Sequence, residues 1–394
     1  MQDKDVVQSG SALEGKHILL GVSGGIAAVD SVRIARELRR NGAKLTVCMT
    51  NSAQRVITKH ALEWATDGVV ITDWDSDMGQ LQEFDGILIC PATKNIISSH
   101  INGIMSSPLL MALSAARSRD TPILFVPSMH SDLSNDPVTQ ESTNALIEQG
   151  AYVLWGDEDE GKMKNPNHVE IVAELSHHIN SRRENRKSIV ITLGATRSRL
   201  DDVRYIQNTS SGKTGWSIAE DLHLHGHDVS VVSGVTTVSP KFPLPLVINA
   251  EDPKMMLEEL KALSKDQIDI WIHSAAVLDY VVSSPVEGKI ASLQGELNVV
   301  LTEAEKHVKE LSEMVNGATR IGFKLECGVK ISDLVHRALA LLKNSGLDIV
   351  IANRLEDIND PKKPRAHLVD SNGEHWALED NLKLVDAVRV IVER

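Results

Sequence analysis

Cysteine is scarce. Cys48, Cys90 and Cys327 are the only three in 394 residues, far apart and in or beside apolar stretches. Such thiols build neither a disulfide framework nor a cysteine-ligated zinc site, and they suit buried positions in a reducing compartment. Long apolar runs are also missing: nothing approaches the ~20 residues a membrane-crossing helix needs. Residues 1–15, MQDKDVVQSGSALEG, hold no apolar core of the signal-peptide kind. We therefore expect a cytoplasmic protein with no membrane partner. Positive charge is short, at a formal net charge of −13, whereas binding a nucleic-acid backbone needs clustered Lys and Arg. That excludes nucleic acid but not a small phosphate-bearing ligand, which needs only a local positive site. Repeats at solenoid spacing and low-complexity tracts are absent too.

What is present describes a soluble globular chain of about two domains, with 42% hydrophobic and 24% charged residues. Residues 1–15 read as a polar tail. From Lys16 the pattern is strand, glycine turn, helix: HILLGVSGG, then IAAVDSVRIARELRRNG with helical apolar spacing and Gly42 as a stop. KLTVCMT, a helix over 52–66, VVITDW and GILICPAT follow, then helices near Asn95 and Leu109, PILFVPS, YVLWG and a helix over 167–180. Short apolar strands alternating with helices predict a doubly wound, parallel α/β sheet for residues 16–180. The charged tract over 181–187 reads as a linker. Residues 188–394 repeat the grammar: strands at SIVITLG, DVSVVSG, LVINA, IDIWIHSAAV, LNVVLT, RIGFKLE and DIVIANR, with helices over 213–225, from Asp252, over 303–314, over 331–343 and from Glu379. Two Rossmann-like domains are expected, with ligands at the carboxyl ends of the strands.

The stretch richest in chemistry is ITLGATRSRLDDVRYIQNTSSGKTG, residues 191–215. A strand breaks at Gly194 into a polar loop carrying Thr196, Arg197, Asp201, Asp202 and Arg204. A second turn, Asn208 to Gly212 through Ser210 and Ser211, opens a helix at Lys213. Small residues between strand and helix let backbone N–H groups approach an anion, and the helix N-terminus adds partial positive charge. The alternative is an ordinary strand–loop–helix in which the glycines only permit turns. Gly212-Lys213-Thr214 imitates the end of a Walker A loop, but Gln207 stands where that loop needs its first glycine.

In the first half, Ser23-Gly24-Gly25 follows the first strand, Thr50 and Ser52 the second, and Pro91, Thr93 and Asn95 the fourth. The G-x-G-x-x-G fingerprint of nicotinamide dinucleotides is absent from both halves, which argues against such an oxidoreductase. Three consecutive loops rich in Ser, Thr and Asn suit one phosphate and a flavin or ribose, or else they only cap helices. His223, His225 and His227 are not read as a metal site, because alternate residues on a helix face different ways. Asp279 after IWIHSAAVLDY, Lys289 in VEGKIAS, Lys324 after Phe323 in RIGFKLE, and Asn353 in DIVIANR end or follow the strands of the second half. An acid, two lysines and an amide there could hold a metal-bound triphosphate, with Asp279 taking Mg²⁺ directly or through water.

With those residues assembled, the chain resembles the bifunctional coenzyme A biosynthesis flavoproteins, which fuse a phosphopantothenoylcysteine decarboxylase to a phosphopantothenate–cysteine ligase. In the second half the resemblance rests on GATRSRLDDVRYIQNTSSGKTG, AAVLDY, GK at 288–289, GFKLE and DIVIAN; in the first, on GVSGGIAA, MTNSA and PATKNIISSHINGI. It implies a flavodoxin-like flavoprotein domain and a doubly wound ligase domain. The ligase would activate the carboxylate of 4′-phosphopantothenate with a nucleoside triphosphate, CTP or ATP, with Mg²⁺. Cysteine's amine would then displace the nucleotide. By the resemblance, Asn208 holds the acyl-nucleotidylate and Lys289 stabilises charge during activation. Asp279, Phe323 and Ala275, with Ala276, border the nucleotide, while Gly194, Thr196, Lys324 and Asn353 surround the phosphates. Ser210, Ser211, Gly212 and Lys213 complete the substrate side. The lysines that usually follow Lys289 in the family are Ala291 and Ser292 here.

The flavoprotein half departs further. The family's catalytic His after the third strand is replaced in Met78-Gly79-Gln80, and Gln80 cannot act as a base. The P-x-M-N clamp reads Pro127-Ser128-Met129-His130, and the lid cysteine has no counterpart in GDEDEGKMKNP. The resemblance therefore implies an FMN-type domain that is degenerate as a decarboxylase. Alternatives are a fully bifunctional enzyme using His130, and an assembly platform, since the family forms trimers through this domain and dimers through the ligase. A homo-oligomer is expected either way.

Overall fold

The structure is a computed structural model, and it describes residues 3–74, 78–292 and 295–394. It divides into two compact units, one of residues 1–183 with 224–226 and one of residues 184–223 with 227–394.

In the first unit, β1 (His17–Val22), β2 (Lys44–Met49), β3 (Val69–Ile71), β4 (Gly86–Ala92), β5 (Ile123–Pro127) and β6 (Tyr152–Val153) form one parallel sheet. Their order is β3-β2-β1-β4-β5-β6. The strands are apolar on both faces because helices cover both. One layer of core gathers Leu20, Val47 and Leu88 with Ile34 and Leu38 of α1 (Ser31–Arg40) and Leu175 of α6 (His168–Asn180). The other gathers Leu19, Ile89 and Phe125 under Ile97 of α3 (Lys94–Ile101), Leu113 of α4 (Pro108–Ser118) and Leu146 of α5 (Pro137–Glu148). The order reverses between β1 and β4, so the loops after Val22 and Ala92 flank the switch point, where such sheets open a crevice.

Two expectations fail here. The stretch read as a polar tail is packed down: Leu13 is fully buried in the core, and its N–H donates to the Asn41 carbonyl. The helix expected over 52–66 splits into a 3₁₀ turn, Ala53–Arg55, and α2 (Lys59–Thr66). The break comes where the Thr58 hydroxyl accepts from Ala61 N at 3.2 Å and starts a new helix as its N-cap.

The second unit repeats the order and extends it. Strands β7 (Ser188–Leu193), β8 (Asp228–Ser233), β9 (Leu246–Asn249), β10 (Ile270–His273), β11 (Thr319–Glu326) and β12 (Ile349–Arg354) are parallel, in the order β9-β8-β7-β10-β11-β12. Two antiparallel strands, β13 (Ala366–Asp370) and β14 (His375–Leu378), add to the β12 edge. Helices α7 (Lys213–Leu224), α8 (Pro253–Leu263), α9 (Ile331–Ser345) and α10 (Asn381–Val392) accompany the sheet. The helix expected over 303–314 is one turn, His307–Glu310, because Leu301–Glu303 is taken by an antiparallel pairing with Tyr280–Val282. Among the described residues no helix is long and apolar enough to cross a membrane.

Candidate active site

In the second unit the switch point lies between β7 and β10, and the loops that follow these two strands are laced together. Gly194 has φ +79°, a conformation that side chains disfavour, and a Cβ there would meet the Val235 carbonyl oxygen at 2.8 Å. Its carbonyl accepts from Ala276 N at 2.8 Å, and Thr196 N donates back to the Ala276 carbonyl at 3.2 Å. The Thr196 hydroxyl is fully buried and accepts from Leu278 N at 2.9 Å. Thr196, expected beside phosphates, thus serves as a stay inside the loop. Gly194→Ala is expected to destabilise this unit by roughly 2–3 kcal/mol through left-handed strain and the carbonyl clash, read as a lower urea midpoint.

After Gly194 the chain makes a short antiparallel ribbon, Arg197–Arg199 with Tyr205–Gln207, and returns at Asn208. The Asn208 amide donates to the carbonyls of Ala276 at 3.2 Å and Val277 at 3.1 Å, tying the second turn to the loop after β10. Ser210, Ser211 and Gly212 then lead into α7; Gly212 abuts the Thr236 side chain beside Gly194, and Lys213 is exposed.

The ribbon's loop holds a third segment. Asp201 is fully buried. Its carboxylate accepts from the backbone N–H groups of Val203, Arg204 and Ile290 and from the Arg204 guanidinium. Burial alone would raise its pKa, but these donors hold it down at about 2. Asp202 accepts from Gly288 N at 2.8 Å. Lys289 sits between the two strapped residues, exposed and without an ion pair among the described residues.

Beside this lattice lies a cleft of about 630 Å³. Four of the expected nucleotide residues line it, namely Ala275, Asp279, Phe323 and Lys324, together with His273, Lys306, His307 and Lys309. Asp279 is engaged by the Lys306 ammonium, and Lys324 reaches Glu326 at 3.1 Å. No three acidic, His or Cys side chains among the described residues converge as a metal site. Asn353 lies outside the cleft lining; with its amide assigned so that the nitrogen faces the Lys324 carbonyl, it donates there at 3.0 Å and accepts from Arg365 at 2.9 Å. His223, His225 and His227 are buried, as scaffold.

His273 is buried at the cleft wall; burial first, then Arg320 and His307, push its pKa down to about 3. It is therefore neutral in the cleft. The unfolded chain takes up a proton near pH 6.5 that the folded chain refuses, so stability is intact above pH 6.5 and falls as pH drops toward about 3. The slope from this one group is about 1.4 kcal/mol per pH unit. Urea unfolding of wild type and His273→Gln should therefore diverge in acid, with the variant losing less between pH 7 and about pH 5.

In the first unit the switch-face loops are also drawn together. Ser23 is buried and its hydroxyl donates to the Pro91 carbonyl at 2.7 Å, while Thr93 N donates to that hydroxyl at 3.0 Å. A Cβ on Gly24 would lie 2.1 Å from the Ser52 Cβ, so the loops after β1 and β2 touch at a position only glycine fits. Thr50 accepts from Ala53 N at 3.2 Å, and Asn95 is exposed on α3. Ser23 is committed inside the protein, whereas Gly24, Gly25, Ser52 and Thr93 are left at the rim.

Each of the two halves matches a known family. Residues 185–393 match the family described as DNA/pantothenate metabolism flavoprotein C-terminal domain, and residues 6–180 match Flavoprotein. The coenzyme A biosynthesis bifunctional protein of Thermococcus kodakarensis is 33% identical over 352 residues, covering 87% of this chain and 86% of that one. The chain belongs to the coenzyme A biosynthesis bifunctional protein family. The Methanocaldococcus jannaschii member is 32% identical over 87% of this chain and 84% of its own. Among solved structures, the DNA/pantothenate metabolism flavoprotein from Streptococcus pneumoniae is 25% identical with a TM-score of 0.48, covering 52% of this chain and 98% of that one.

In the first unit, Gln80 and His130 are the two positions the sequence marked for proton handling. Gln80 is buried, its amide nitrogen facing the thioethers of Met78 at 3.5 Å and Met111 at 3.9 Å, while Oε1 finds no hydrogen-bond partner. His130 is exposed and turned to its own neighbour, with Nδ1 3.2 Å from the Asp132 carboxylate. GDEDEGKMKNP, where the lid cysteine is missing, folds as a hairpin of Glu158–Asp159 and Lys162–Met163 against Met129–His130. Sequence reasoning missed His273, Lys306, His307 and Arg365. Lys306 and His307 fell in a stretch read as a helix, and no element was expected around Arg365.

Proposed function

We propose that the second unit is a phosphopantothenate–cysteine ligase acting in coenzyme A biosynthesis. The observation that carries this is Asn208 clamped across the Ala276 and Val277 carbonyls at the rim of a cleft that already holds Ala275, Asp279, Phe323 and Lys324. In the reaction the carboxylate of 4′-phosphopantothenate attacks the α-phosphorus of CTP or ATP, and the bond to the β-phosphate breaks to release pyrophosphate. Cysteine's amine then attacks the acyl carbon, loses a proton, and expels the nucleoside monophosphate. Lys289, without an ion pair among the described residues, is the cation for charge developing in the first step. Donors fixed in advance toward such charge commonly contribute ~10²–10³-fold in rate. Mg²⁺ is assigned to the triphosphate it accompanies, because donors among the described residues do not gather as a metal site and Asp279 is held by Lys306.

The first unit is read as a flavoprotein domain without decarboxylase activity. The rim left by Gly24, Gly25, Ser52 and Thr93 fits the phosphate end of FMN, which when bound would supply redox chemistry. The proton-handling residues do not follow: Gln80 is a buried amide that cannot act as a base. We assign the chain to a cytoplasmic homo-oligomer. Incubation with CTP or ATP, Mg²⁺, 4′-phosphopantothenate and cysteine should release pyrophosphate without carbon dioxide. Silence with both nucleotides removes the ligase, and stoichiometric carbon dioxide from phosphopantothenoylcysteine restores the bifunctional alternative.

A further inference from the structure

The geometry points to Arg365 as a phosphate-binding residue of the second unit. It stands just before β13, on the antiparallel edge that the sequence did not disclose, and reaches back over the parallel sheet. One guanidinium nitrogen donates to the Thr214 hydroxyl in the first turn of α7 at 3.1 Å, and another lies 2.9 Å from the Asn353 side-chain amide, whose oxygen is assigned to face it because the nitrogen then donates to the Lys324 carbonyl. Both acceptors are neutral. Arg365 makes no ion pair among the described residues, and its pKa is lowered by burial with no carboxylate opposing the shift. Arg197, Arg204 and Arg354 of the same unit pair with Glu251, Asp201 and Asp357, and the buried Arg320 is instead enclosed by the backbone carbonyls of Val308, Ser345 and Gly346.

A half-buried charge without a counter-ion is costly, and the cost disappears when an anion arrives. Arginine's planar fork has five donors, and two bonds to neutral oxygens leave donors for a phosphate, which it can hold with two parallel hydrogen bonds. The neighbouring backbone favours the same ligand. Gly212 N and Lys213 N meet only the Ser210 and Ser211 hydroxyls, at 3.4 and 3.3 Å, long enough to be exchanged for stronger acceptors. The ligand is a phosphate ester or anhydride. This inference rests on the ligase reading for its two sources, the phosphate of 4′-phosphopantothenate or the triphosphate of the nucleotide.

The test uses the full chain, wild type and the variants Arg365→Gln and Arg365→Lys. Without ligand, Arg365→Gln should melt no lower than wild type, since an unmatched charge is removed. Pyrophosphate and inorganic phosphate should raise the melting temperature of wild type, and of Arg365→Gln by much less. In steady state, Arg365→Gln should raise KM for one phosphorylated substrate roughly 10–100-fold, the range of a charge-assisted pair, with KM for cysteine unchanged. Arg365→Lys should recover part of the loss. The substrate whose KM moves identifies the source. Equal stabilisation of wild type and Arg365→Gln by phosphate, or equal KM changes for all three substrates, overturns the assignment. If no nucleotide gives pyrophosphate with wild type, the ligase reading fails, and the melting shifts still decide whether Arg365 binds phosphate.

Discussion

Asn208→Asp is expected to lower amide formation by roughly 10²–10³-fold, the scale of losing one preorganised donor at a reacting centre. The wild-type amide places its NH₂ between two backbone carbonyls, at 3.1 and 3.2 Å. A carboxylate there can donate to neither and repels both, so the second turn separates from the loop after β10. Pyrophosphate release, which the proposed reaction assigns first to Lys289 and the cleft, should fall less than product formation. Rapid-quench measurement of both in one turnover separates the two steps. Equal amide formation by Asn208→Asp and wild type would mean that the acyl intermediate is handled elsewhere.

The parallel layers of both units were legible because strands buried on two faces write themselves as short apolar runs, as in HILLGV and SIVITL. The switch-face loops were legible for a related reason: small residues between strand and helix have few other uses. Elements that pair at an edge were not. HWAL, β14, is exposed for most of its length, and RSR with YIQ forms a ribbon from polar residues, so neither carries an apolar period. Arg365 was lost with that edge. Burial of single positions was equally silent: Leu13 lies in a polar stretch, and His273 reads as one more polar residue until the structure encloses it. Thr196 and Ser23 were expected as site residues by type, but their hydroxyls are committed inside the protein. Residue type marks a loop as functional more reliably than it tells which oxygens face the ligand.

The strap around Lys289 was also beyond the sequence, because Asp201 and Lys289 are joined only through backbone bonds across the ribbon. Asp201→Asn should therefore cost activity although Asp201 is fully buried. Its two oxygens accept from Val203 N, Arg204 N, Ile290 N and the Arg204 guanidinium at 2.5–3.1 Å. An amide must turn an NH₂ toward one pair of these donors, which leaves Ile290 N or Arg204 N unmatched and the charge of Arg204 without its partner. The segment bearing Lys289 then loses its tie to the loop. We expect kcat for pyrophosphate release to fall roughly 10–100-fold with little change in KM, as for an interaction realised only in the transition state. Hydrogen exchange over residues 286–292 should quicken in the variant while β7 and β10 stay protected. The pH dependence has a defined sign. A carboxyl held at about 2 contributes stability that is present above its unfolded pKa of 3.8 and is lost as pH falls through about 2. Wild type should thus keep the strap down to about pH 3, and Asp201→Asn should lack it at every pH. A variant with normal kcat and normal exchange would show that Lys289 is positioned by something other than Asp201.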